Sequence, residues 1–255
     1  MSEGLEDLLI LTSDPQARAR LAKLRLDMLG AARSASENDE QNRTVVEVLR
    51  DIRERGDEAV AAYTEKFDRV SLGPAEFRVS PEALAAAHAS MDAMLLAALR
   101  KAIENVRAYQ AKIFLGHSSA FSDGTGIRYT PIRRAGVCVP GASAPLPSTV
   151  IMTVVPAQVA GVREIAVVSP PRHEGSIHPV ILAVCHELGV EEVYRIGGVQ
   201  AVGALACGTQ SIRKVDIIVG PGNSWVQAAK KNVAGDYVGI DSIADLTRLA
   251  PLLAE

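Results

Sequence analysis

Apolar residues recur at helical spacing early in the chain, and in short blocks divided by glycine or proline later on. Val45, Val48, Leu49 and Ile52 fall on one helical face, and Thr44-Val45-Val46-Glu47 before them reads as a capping box. Gly56 stops that helix, and Asp57 is placed to cap a second one running through Tyr63 to Phe67. Ser80-Pro81-Glu82 is a further start signal, with a cap, a proline at the first helical position and an acid in the first turn. A long helix is predicted from about Asp92 to Ile113. Only short strands are predicted in this half, around Phe77–Val79 and Ile127–Tyr129.

Beyond Arg134 the pattern alternates. Strands are predicted at Ala135–Val139, Glu164–Val168, Glu192–Ile196 and Val215–Val219, and helices at Ser148–Ala160, Ile177–Leu188, Gln200–Cys207 and Ser224–Val233. Strands and helices in this order, joined by short loops, build a parallel sheet with right-handed crossovers and helices on both faces. The expected class is α/β. A mainly helical segment (1–132) precedes a Rossmann-like sheet domain (133–241), and a short tail (242–255) follows.

Composition narrows the partners. The net charge of −3 offers no field for attracting nucleic acid, and 4% aromatic residues leave few platforms for stacking bases. Cys138, Cys185 and Cys207 are spaced neither as metal pairs nor as a disulfide framework. Cys185 and Cys207 lie in apolar helical runs, as small core residues do. Glu3, Glu6 and Asp7 stand where a secretory signal needs positive charge, and the apolar stretches are too short to cross a bilayer. The expectation is a cytoplasmic protein that binds neither nucleic acid nor membrane.

In a parallel sheet of this kind ligands bind outside the carboxyl ends of the strands. Those ends read Val139-Pro140-Gly141-Ala142, Ser169-Pro170-Pro171, Gly197-Gly198-Val199-Gln200 and Gly220-Pro221-Gly222-Asn223. Glycine lets a ligand approach the backbone, and a helix start directly after a loop favours phosphate. Gln200 and Asn223 are amides at two such starts and can both donate and accept. Glycine and proline after a strand also form ordinary turns, and the amides could simply cap helices. The full G-x-G-x-x-G fingerprint is absent. Spacing alone supports an α/β domain with a ligand edge.

The run Arg134-Ala135-Gly136-Val137-Cys138-Val139-Pro140-Gly141 resembles the opening strand of the histidinol dehydrogenase family. Pro147-Ser148-Thr149-Val150, Gly197-Gly198-Val199-Gln200-Ala201 and, most specifically, Lys214-Val215-Asp216 to Gly220-Pro221-Gly222-Asn223 are similar to its motifs, in the same order. Upstream, Arg55-Gly56-Asp57-Glu58-Ala59 and Tyr63-Thr64-Glu65-Lys66-Phe67-Asp68 also resemble it. The likeness runs from about Thr44 to Ala244.

That resemblance implies oxidation of L-histidinol to L-histidine by two NAD molecules in succession. It implies NAD contacts at Gln200, Asn223 and the first-strand position Cys138, with Pro140 and Gly222 beside them. The family has a tyrosine where Cys138 stands, and a thiol offers neither the ring nor the phenol donor. It commonly has a second glycine where Ala142 stands. Past Ala244 the family continues Gly-Pro-Ser-Glu and supplies its zinc ligands (Gln, His, Asp, His) and an acid–base Glu–His pair. This chain instead reads Asp245-Leu246-Thr247-Arg248-Leu249-Ala250-Pro251. His88, His117, His173, His178 and His186 show no ligand spacing, so no catalytic or metal residue is expected.

Three readings follow from the resemblance. The chain is the NAD-binding part of a histidinol dehydrogenase, inactive until a complementing C-terminal portion is supplied. Or it is a nucleotide-binding or interaction module derived from that family, a pseudoenzyme. Or it is half of a dehydrogenase for another small diol. Early helices that pack on later strands in the family would here leave an apolar face open, favouring a homo-oligomer such as a dimer, or a partner.

Overall fold

The computed structural model of the chain describes residues 39–241, apart from 115, 117–118, 121–123 and 142–144, and also residues 19 and 21. Its centre is a parallel sheet of five strands: β3 (Arg134–Cys138), β4 (Glu164–Val168), β5 (Glu192–Tyr194), β6 (Ile217–Val219) and β7 (Gly239–Ile240). A two-residue antiparallel pair, β1 (Ser119–Ala120) with β2 (Gly126–Ile127), lies apart from it. The order across the main sheet is β5-β4-β3-β6-β7. The chain winds outward from β3 to β5, then returns to the other side of β3, which makes a topological switch point between β3 and β6.

Side chains alternate across this sheet with period two. Val137, Val167 and Val193 enter one core with α5 (Pro147–Val159) and α6 (Pro179–Glu187). Cys138, Ala166, Val168, Tyr194 and Ile218 enter the opposite core with α7 (Gly198–Cys207) and α8 (Ser224–Val233). Both faces are therefore covered, as the sequence predicts.

The first-half helices form outer layers on these. α1 (Asp39–Arg55) packs on α7 and α8, and α2 (Asp57–Asp68) packs on α7. On the other face α3 (Pro81–Ala89) lies against α6, and α4 (Ala93–Ile113) against α5. Val45, Val48 and Ile52 are buried in one core, and Leu84, Leu99 and Ile103 in the other. α4 still leaves Met94 83% and Tyr109 60% exposed. Among the described residues no single helix is long and apolar enough to cross a membrane.

Local expectations fare unevenly. The Ser80 oxygen does accept from the Ala83 amide at 3.2 Å, with Pro81 at the first helical position. Thr44 is not a cap: α1 already runs from Asp39, so Thr44 sits mid-helix and its hydroxyl donates to the Glu40 carbonyl. Asp57 does not cap α2 either. The preceding residue is Gly56 (φ 58°), and the buried Asp57 carboxylate accepts from the Ser211 hydroxyl. Phe77–Val79 makes no full strand but bridges the β5 edge antiparallel at Arg78. The Val79 amide donates to the Val193 carbonyl, and the Arg195 amide to the Phe77 carbonyl. Tail residues 242–255 and Ala142 lie outside the described residues.

Candidate functional site

At the switch point the loops after β3 and β6 part around a cleft of about 480 Å³. Cys138, Pro140 and Gly141 form one wall, Pro221, Gly222 and Asn223 the other, and Pro170, Arg172, Gly197 and Gly198 complete the rim. The first turns of α5 and α7 open onto it. Neither helix has a side-chain cap: their cap positions are Leu146 and Gly197. The leading amides of α7 are thus left for an anion, helped by the positive helix end, whereas α5 starts on Pro147, which has no N–H, and its Thr149 amide already donates to the Leu146 carbonyl at 3.0 Å.

Gly220 draws β6 against β3. Its φ is +106°, and a Cβ there would lie 2.3 Å from the Cys138 carbonyl oxygen, so only glycine permits this approach. A buried clamp fixes the same turn. Lys230, fully buried on α8, pairs with Asp241 after β7 and donates to the Gly220 carbonyl at 3.1 Å. The Gly220 amide in turn donates to Asp241 Oδ2 at 2.8 Å.

Of the residues the resemblance singles out, Cys138, Pro140, Gly222 and Asn223 all line the cleft. Asn223 is exposed and caps α8, its Oδ1 accepting from the Val226 amide at 3.1 Å, so the capping alternative holds for that oxygen. Cys138 is 6% exposed, and burial pushes its thiol up to about 12, against the smaller pull of Lys230. A thiol held neutral this way is no nucleophile at physiological pH.

Gln200 lies beneath the Gly197-Gly198 turn rather than on the cleft wall, and is fully buried. Its Nε2 donates to Asp68 Oδ2 at 3.1 Å, and its Oε1 has no hydrogen-bond partner. Asp68, at the end of α2, also accepts from Arg172 Nε at 3.2 Å. Burial raises the Asp68 carboxyl above its usual range, while Arg172 and Gln200 pull it back. Sequence reasoning missed the sites of Asp68, Arg172 and Lys230: Asp68 meets Arg172 across 104 residues and Gln200 across 132, and Lys230 meets Asp241 11 residues on with no spacing signal to announce it. Asp216 accepts a backbone hydrogen bond from the Arg134 amide at 2.9 Å.

The histidines are occupied elsewhere. His88 Nε2 meets Glu187 Oε2 at 2.6 Å, with the His186 ring 4.9 Å from the His88 ring. His173 and His178 pair 4.6 Å apart beside the β4 loop. His117 lies outside the described residues. Among the described residues no three His, Cys, Asp or Glu side chains gather as a metal-ligand set. The described residues do not fit zinc. The glycine-lined cleft, its uncapped helix ends and the unpaired Gln200 oxygen do fit a dinucleotide.

Fold and cleft define a Rossmann-like α/β protein with its crevice at the switch point. A crystal structure of histidinol dehydrogenase from Elizabethkingia anophelis superposes with a TM-score of 0.73 at 37% identity, covering 79% of this chain and 47% of that one. Residues 31–250 match the family model for histidinol dehydrogenase, and the chain belongs to that family. The histidinol dehydrogenase of Geobacillus kaustophilus is 44% identical over 225 residues, 86% of this chain and 52% of that protein. That of Rhodopirellula baltica is 42% identical over 252 residues, 95% of this chain and 53% of that protein. The chain thus spans about half the length of the curated relatives it matches.

Proposed function

We propose that this chain is the dinucleotide-binding portion of a histidinol dehydrogenase-type alcohol oxidoreductase, and that NAD occupies the switch-point cleft. One observation carries the reading: the uncapped starts of α5 and α7 open onto the same glycine-lined cleft as Pro140, Gly222 and Asn223. NAD bound there would accept hydride from the alcohol. In this reading the free amides at the start of α7 hold the pyrophosphate. Gly222 lets the ligand approach the backbone, and Pro140 and Cys138 supply apolar wall. Asn223 offers its side-chain NH2 while its oxygen caps α8, and Gln200 offers an acceptor from below.

Among the described residues no zinc ligand set gathers. We propose that the 255-residue chain by itself turns over no histidinol. The same reading divides the chain at 132 and 241. It also gives the exposed apolar side chains of α4 to a second copy or to a complementing C-terminal portion. Titration calorimetry with NAD, and an assay of the chain with histidinol, NAD and zinc, test the proposal. Micromolar NAD binding without turnover is the expected pair of results. Robust histidinol oxidation by the chain alone contradicts its inactivity.

The pseudoenzyme reading has a specific observation behind it: Cys138 stands in the cleft wall where the family carries tyrosine, and it is buried and neutral. Complete absence of NAD binding in the same titration selects its relic form, an interaction module with no live nucleotide site.

A further inference from the structure

Two parts of the cleft rim, the loop after β4 and the first turn of α7, converge on one carboxylate that comes from outside the sheet. Asp68 ends α2, and its side chain is only 3% exposed. One oxygen takes Arg172 Nε from the β4 loop, and the other takes Gln200 Nε2 from α7. Arg172 in turn reaches the Gly141 carbonyl of the β3 loop at 3.4 Å.

The bond to Gln200 has a directional consequence. A carboxylate can only accept, so it holds the NH2 end of the Gln200 amide and turns the oxygen away. That oxygen is buried and unpartnered, a state that is costly unless something supplies a donor. It lies under Gly198, which lines the cleft with φ +64°. A Cβ at Gly198 would sit 2.9 Å from Gln200 Oε1, so this glycine, with no side chain, lies between the oxygen and the cleft at that point.

We infer that Asp68 is a positioning residue that fixes the Gln200 amide with its oxygen towards Gly198, so that the cleft selects a ligand that brings an N–H donor to the Gly198 turn and, by a small shift of that turn, to this oxygen. The inference rests on the dinucleotide reading. A dinucleotide carries two such donors, the nicotinamide carboxamide and the adenine amino group, and either satisfies the same oxygen.

The test compares NAD with two analogues by calorimetry on the whole chain. One has nicotinic acid in place of nicotinamide, and the other has hypoxanthine in place of adenine. The wild type should bind one analogue about tenfold more weakly than NAD, and which one identifies the end at Gln200. In Asp68→Ala the Gln200 amide is free to turn its NH2 outward, and that discrimination should fall to within about twofold. Asp68→Asn keeps an oxygen acceptor for Gln200 and should keep the discrimination while loosening Arg172. Equal weakening of NAD and both analogues in Asp68→Ala marks Asp68 as merely structural and overturns the inference.

No NAD binding by the wild type overturns the dinucleotide reading itself, a separate result. The positioning is then decided by hydrogen exchange at the Gln200 side-chain amide, read by NMR. Protection in the wild type and Asp68→Asn, lost in Asp68→Ala, supports it. Equal exchange in all three overturns it.

Discussion

The two ends of the same five strands are built in opposite ways. At the amino ends, Arg134 is 4% exposed and meets both Glu192 oxygens at 2.7 Å, with Glu164 at 3.3 Å. Arg213 bridges the same two acids, and the Tyr194 hydroxyl donates to Glu192. The Arg134 guanidinium holds the Glu192 carboxyl down at about 2, whereas burial and the Glu192 charge push Tyr194 up to about 12. At the carboxyl ends, Gly198 and Gly220 sit at positive φ, two helices start uncapped and the Gln200 oxygen has no partner. The amino edge is dominated by a charged network turned on itself, with Arg134 Nε left unpartnered. The carboxyl edge pairs Lys230 with Asp241 and Asp68 with Arg172, but sets glycine turns, an uncapped α7 start and the Gln200 oxygen around a cleft.

If that contrast is right, damage at the amino edge reduces stability and spares binding. Arg134→Met leaves Glu192 without its buried partner and should cost roughly 3–5 kcal/mol in urea unfolding. NAD affinity of the remaining folded protein should be unchanged. Equal loss of both would dissolve the distinction between the edges.

Gly220→Ala strikes the other edge. It forces a side chain to φ +106° with its Cβ against the Cys138 carbonyl, and should cost on the order of 3 kcal/mol. Unlike Arg134→Met, it should also abolish NAD binding in whatever protein still folds, as read by calorimetry.

Acid sharpens the comparison. The folded Glu192 value of about 2 lies below its ordinary 4.5. Its stabilisation is therefore complete above about pH 4.5 and lost as pH falls towards 2. Denaturation midpoints at pH 7, 4 and 3 should fall in that order for the wild type, and less steeply for Glu192→Gln. Asn223→Ala is the smallest change, about 1 kcal/mol through loss of the α8 cap, with a weakening of NAD that exceeds this stability cost.

The overall fold was legible because it is written locally. Val137, Val167 and Val193 alternate with inward partners of the opposite face, and glycine follows three of the strands, so the sheet, its helices and its ligand edge can be read directly. β7 was not, because Gly239–Ile240 is too short for a period-two signal. Thr44 misled because its capping-box pattern overlaps a helix that the polar run from Asp39 already sustains. The candidate site was half legible. Cys138, Pro140, Gly222 and Asn223 stand beside turns that announce themselves, and all line the cleft. Asp68 and Arg172 meet across 104 residues, and Asp68 and Gln200 across 132. Lys230 reads as one of two surface lysines at a helix end until folding buries it against Asp241. No local period encodes such meetings.

The switch-point cleft as a dinucleotide site is tested most directly by amide chemical-shift mapping of the isotope-labelled chain during NAD addition. The account expects saturable shifts at Thr149, Gly197–Val199, Gly220, Gly222 and Asn223, with Arg133, Glu164 and Glu192 at the amino edge unmoved. Shifts centred on the amino edge, or none at millimolar NAD, would contradict it.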